Sequence, residues 1–140
     1  MTTTKTYTQF KNNNFKEYDK FISKNVFFAF SENQFKKGLD RLGVSENAIC
    51  CLNNGGYMLK SASNQRKQII KKYYKNQRKY LSNFKNLLSA LMYEMKNHEC
   101  FYTGDLMEGV EALGFKEKDL YKNKKLQKAY NICVKNYYNN

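Results

Sequence analysis

Proline and tryptophan are absent from this 140-residue sequence, and histidine occurs once, as His98. No Asp or Glu lies between Glu46 and Glu94. No apolar run approaches the ~18 residues that a membrane-spanning helix needs, and no signal peptide is visible. Each absence excludes something. Without proline, turns fall to Gly and Asn, and helices run without proline breaks. With one histidine, catalysis or metal binding of the usual kind has to draw on His98 alone. Without a span or a leader, the expected location is the cytoplasm, where thiols stay reduced. Cys50, Cys51, Cys100 and Cys133 form an adjacent pair and two distant singles, which is not zinc-ligand spacing. They read as small buried apolar residues. There is no P-loop spacing, no nucleophile elbow, no internal repeat and no domain linker.

What the sequence has in excess is positive charge. Lys and Arg number 25 against 12 Asp and Glu, a net +13. Residues 1–46 carry +3 and residues 94–140 carry +1, whereas residues 47–93 carry +9. Lys far outnumbers Arg and Asn is abundant, a pattern that A-rich codons also produce. Coding bias alone does not gather the charge into one segment. Wound as a helix at ~100° per residue, residues 65–95 place Ile69, Ile70, Tyr73, Tyr74, Tyr80, Leu81, Phe84, Leu87, Leu88 and Leu91 on one arc of about 140°. Lys67, Lys71, Lys72, Lys75, Arg78, Lys79 and Lys85 fall on the other side. Arg66 alone lands among the apolar residues. A cationic face of this kind attracts polyanions, nucleic acid being the commonest. The candidate binding residues are therefore Arg66, Lys67, Lys71, Lys72, Lys75, Arg78, Lys79 and Lys85, with Tyr74 as a stacking surface. Membrane binding is disfavoured, because the apolar side of the helix is needed for the core.

Local signals predict an α+β fold, mainly helical, with a short antiparallel sheet of about three strands and four to six helices. Residues 1–14 read as a flexible tail and residues 15–140 as a single domain. Val26–Phe30 reads as a buried strand. Ser31 and Gln34 form a capping box for a helix over Glu32–Leu42, which Gly43 ends. Asn53-Asn54-Gly55-Gly56 is a hairpin turn between Ala48–Leu52 and Tyr57–Lys60. A cap at Ser61 or Ser63 opens the long helical stretch; a break at Ser82-Asn83, with either residue as the cap of a second helix, or near the polar run of residues 75–79, stands as an alternative to one rod. Thr103 or Asp105 caps a helix ending at Leu113. Lys116–Tyr138 forms a last helix or pair, with Tyr137 and Tyr138 frayed.

The stretch Asn97–Asp105 holds the densest functional-group chemistry. His98 and Glu99 invite a general-base reading, with Tyr102 and Asp105 nearby. No nucleophile in a recognisable elbow or dyad context accompanies them, and Cys100 and His98, two residues apart at a helix end, converge only awkwardly, so the expected roles are structural: His98 at a helix C-terminus and Asp105 as a cap. No catalytic residue, metal site or cofactor is assigned.

The segments VFFAFSENQFKKGLDRLG and MYEMKNHECFYTGDLMEGVEALGF resemble those of a group of small proteins carried by phages and plasmids. The resemblance covers roughly Val26 to Phe115, and the basic middle departs from it. The group has no established activity, so no residue role carries over. The resemblance implies an accessory gene of a mobile element, acting in the host cytoplasm. By analogy such genes encode counter-defence proteins, including inhibitors of CRISPR effectors. The leading expectation is a non-enzymatic inhibitor whose basic face engages nucleic acid or a ribonucleoprotein effector, a CRISPR-type complex among them. A DNA- or RNA-binding regulator is the alternative, and a small enzyme centred on His98 and Glu99 a third. The oligomeric state is left open.

Overall fold

Three short apolar runs pair into a sheet whose two faces are both covered. Strands β1 (Val26–Phe28), β2 (Ile49–Cys51) and β3 (Gly56–Leu59) are antiparallel in the order β1-β3-β2. Val26 lies opposite Met58, which lies opposite Cys50; Phe27 lies opposite Tyr57, which lies opposite Cys51. Because side chains alternate along a strand, these two rows point to opposite faces. Val26 and Met58 pack with Phe21, Ala62 and Ile69. Phe27 and Ile49 pack with Phe35, Leu39 and Leu42. The computed structural model describes residues 6–138. Among them are eight α-helices beside this sheet, an α+β fold dominated by helix.

By their contacts the residues expected as one domain over 15–140 group into two compact units. The first, the sheet unit, is Asn12–Tyr74. The second, the helical unit, takes the residues up to Lys11 together with Lys75 onward. Helices α1 (Tyr7–Asn25) and α3 (Ser63–Leu81) each contribute one end to each unit.

In the sheet unit, helix α2 (Glu32–Leu42) begins where its sequence says it should. The Ser31 hydroxyl accepts from the Gln34 amide at 3.2 Å. Gln34 reaches one residue further back than a capping box requires, and its Oε1 accepts from the Phe30 amide at 2.7 Å. Gly43 ends α2 at φ 67°. Gly38 lets α2 lie against β1: a Cβ there would stand 2.1 Å from the Phe27 ring. Arg41 fixes the junction of α1 and β1, donating to the carbonyls of Ser23 and Val26. The hairpin turns through Asn54 and Gly55 at φ 61° and 79°, a conformation open to Asn and Gly. A 3-10 turn at Lys60–Ala62 then leads into α3.

The helical unit is built on α4 (Phe84–Asn97). Asn83 caps it, accepting from the Asn86 amide at 3.2 Å, so the break falls at Ser82-Asn83; α3 runs unbroken through residues 75–79, and a single rod does not form. Leu87, Leu91 and Met95, one turn apart, are fully buried against Val110, Leu113, Leu126, Ala129 and Cys133. Those come from α6 (Met107–Ala112), its C-cap Leu113, and α8 (Lys124–Tyr138). Each leucine buried in this way contributes about 1.5–3 kcal/mol. Two single-turn helices, α5 (Cys100–Thr103) and α7 (Asp119–Lys122), complete the unit. They are too short to leave a period in the sequence.

Two expectations are corrected. Residues 7–14 are helical, not a tail: Tyr7 is 4% exposed and Phe10 stacks on Tyr80 at 4.0 Å. Of the rest of that expected tail, residues 1–5 lie outside the described residues. Tyr137 and Tyr138 do not fray; α8 runs to Tyr138, and Tyr137 stacks on Phe101 at 3.9 Å. Among the described residues no helix is long and apolar enough to cross a membrane.

Candidate nucleic-acid interface

Helix α3 exists because its apolar residues recur at helical spacing, and that spacing leaves its cations outside the core. In the sheet unit, Ile69 is buried and Ile70 half-buried, while Lys67, Lys71 and Lys72 are exposed. In the helical unit, Gln77 and Leu81 are buried, while Lys75, Arg78 and Lys79 on α3 and Lys85 on α4 are exposed. Among the described residues, Lys72 alone of these pairs with a carboxylate, Glu17, at 3.2 Å between exposed side chains. Among the described residues, Lys67, Lys71, Lys75, Arg78, Lys79 and Lys85 form no ion pair.

The charge is held at an energetic cost. Lys67 and Lys71 stand one turn apart, as do Lys75 and Lys79, and each like-charged i,i+4 pair destabilises a helix by about 0.2–0.5 kcal/mol. The first turn of α3 has no acidic residue to complement its dipole.

Arg66 behaves differently from the lysines, as its place on the apolar arc implies. It is half-buried and lines an open cleft with Phe15, Tyr18, Ile70, Tyr73 and Tyr74, all in the sheet unit. Its Nε is buried without a hydrogen-bond partner. Leaving such a donor unpaired costs about 1–3 kcal/mol. Tyr74 is 48% exposed and meets Tyr73 edge to face at 5.3 Å.

The His98 region is organised around Glu94. Glu94 is 1% exposed, on the same stripe of α4 as Leu91 and Met95. Its Oε1 accepts from the Tyr7 hydroxyl at 2.7 Å and from Lys11 Nζ at 2.8 Å. Its Oε2 lies 3.3 Å from His98 Nε2. Burial alone would raise the Glu94 pKa, but the hydrogen bonds from Lys11 and Tyr7 and the nearby positive charge outweigh it and hold the carboxyl below its ordinary value. A carboxylate on an apolar stripe is the signal that could have found this cluster. His98 ends α4, its ring turned to Glu94. Glu99 is exposed in a left-handed turn at φ 53°, and Tyr102 is 90% exposed. Asp105 Oδ1 accepts from the Met107 amide at 3.2 Å, at the start of α6.

Of the cysteines, Cys100 and Cys133 are buried, Cys50 is half-buried and Cys51 is exposed. Cys51 therefore departs from the expectation: it is the last residue of β2, at the edge of the sheet. Among the described residues no group of three or more His, Cys, Asp or Glu is placed to hold a metal ion.

Neither curated proteins nor solved structures offer a match to the chain. A family model described as a family of unknown function, DUF7659, matches residues 7–136. That span takes in both units, the cations of α3 and the Glu94 cluster, and the protein belongs to the DUF7659 family.

Proposed function

We propose that the protein binds nucleic acid, bare or as the exposed RNA of a ribonucleoprotein, through the cations of α3 and Lys85 of α4, without chemistry of its own. One observation carries this reading: six exposed cations in a segment free of acidic residues have no carboxylate partner among the described residues. Charges that stabilise a fold are paired with opposite charges. These repel one another along the helix, and a polyanion relieves that repulsion. The binding is electrostatic and does not select sequence by itself. The setting implied by the resemblance, a counter-defence accessory protein of a mobile element, is the role we propose for this binding. An inhibitor of that kind would copurify with one effector complex, whereas a plain DNA- or RNA-binding regulator would be recovered on naked nucleic acid.

The test is charge reversal in each unit separately. Lys67→Glu with Lys71→Glu, and Lys75→Glu with Arg78→Glu and Lys79→Glu, are titrated with oligonucleotides at fixed salt. Both sets are expected to lose most affinity while keeping the helical circular dichroism of the parent. Unchanged affinity in both sets would overturn the proposal.

A further inference from the structure

The Arg66 cleft is lined by residues of two helices, α1 and α3. The same helices are tied by Asn14 of α1, which donates to the Tyr73 carbonyl of α3 at 3.1 Å. Glu17 of α1 also meets Lys72 of α3 at 3.2 Å. The cleft has a volume of about 330 Å³, within the range of small-molecule sites, ~300–1,000 Å³. Its walls are aromatic: Phe15 and Tyr18 stand edge to face at 5.6 Å, and Tyr73 and Tyr74 at 5.3 Å. Phe15 is 44% exposed and Tyr74 48%, so two rings present part of their surface to solvent. Lys67 and Lys71 stand exposed on the same helix.

We infer that this cleft takes one unpaired base of a single-stranded nucleic acid. The inference rests on the proposed function and adds the form of nucleic acid bound. A base has a flat apolar body that stacks on Tyr74 or Phe15, and polar edges that accept hydrogen bonds. Arg66 supplies the donor edge. Its Nε, buried without a partner among the described residues, is a donor that a base carbonyl or ring nitrogen can satisfy. Lys67 and Lys71 then meet the flanking phosphates. An apolar peptide side chain would fill the cleft but would leave the Arg66 donor unmet and make no use of the neighbouring charge. A duplex keeps its bases stacked and cannot enter.

The experiment compares an oligothymidylate, an oligouridylate and a hairpin duplex as ligands, with Tyr74→Ala, Phe15→Ala and Arg66→Met as variants. Both rings are half-exposed, so their removal leaves the core in place. Stronger binding to the single strands than to the duplex is expected, the two single strands separating DNA from RNA. Each aromatic variant should weaken single-strand binding about tenfold, with the salt dependence unchanged and duplex binding untouched. Equal, salt-dependent binding of strands and duplex, indifferent to all three variants, would overturn the base-binding cleft and leave the proposed function standing. No binding of any ligand would overturn both. Single-strand binding that keeps its full strength in both Tyr74→Ala and Phe15→Ala would also overturn the inference.

Discussion

The Tyr7 hydroxyl hydrogen-bonds Glu94 Oε1 at 2.7 Å, tying the first turn of α1 to the last turn of α4 across 87 residues of sequence. A buried carboxylate is tolerable only when hydrogen-bonded or paired. Removing the phenol oxygen leaves one bond fewer to a charged acceptor that water does not reach. Tyr7→Phe is therefore expected to lower stability by about 1–3 kcal/mol, read as a shift in the urea midpoint. Glu94→Gln, which keeps the shape, should lower it as well, and Tyr7→Phe should then cost less in the Glu94→Gln background than in the parent.

The same cluster sets an acid dependence. Among the described residues three groups face Glu94: the Tyr7 hydroxyl, the Lys11 ammonium and the His98 ring. Its folded pKa lies below the ordinary value, so the unfolded chain takes up the proton first as pH falls. The stabilisation is thus fully present above the ordinary carboxylate range and is lost as pH drops through the folded value. Urea midpoints measured from pH 7 downward should fall through the acid range, and Glu94→Gln should flatten that part of the profile. An identical profile in the variant would remove Glu94 from the account.

At Gly38 the backbone of α2 lies against the Phe27 ring of β1. A methyl group there would meet the Phe27 ring at 2.1 Å. Alanine favours helix over glycine by about 1 kcal/mol, yet overpacking a well-filled core costs about 1–3 kcal/mol. Gly38→Ala should be net destabilising in thermal melts. Adding Phe27→Leu should restore part of the stability if the ring is the cause.

The thiols should separate by reactivity. Cys51 is exposed, while burial pushes the Cys133 thiol up to about 11 and raises that of Cys100. Since the thiolate is the reacting form, a disulfide reagent at neutral pH should modify Cys51 first. Cys133 should react only under denaturing conditions. Cys51→Ser should delete the fast phase and leave the slow one.

Features specified by neighbouring residues were legible in the sequence. Ser31, Gly43, the Asn54-Gly55 turn and the Asn83 cap each act within four residues of themselves, and each stands where local chemistry puts it. The α3 cations were legible too, because helical period alone decides which residues leave the core. What failed was long-range. Tyr7 and Phe10 read as part of a polar tail because their partners, Glu94 and Tyr80, lie on distant helices. Arg66 was the one useful anomaly: a cation on an apolar arc marked the wall of a cleft.

The most direct test of the central claim is the salt dependence of single-strand binding. Each phosphate neutralised on a single strand contributes a slope of roughly −0.7 in log K against log salt. The account predicts a steep negative slope for the parent protein. Neutralising Lys67, Lys71, Lys75, Arg78 and Lys79 one at a time should make the slope shallower by roughly 0.7 for each cation that meets a phosphate. A slope near zero, or one that none of these changes alters, would contradict it.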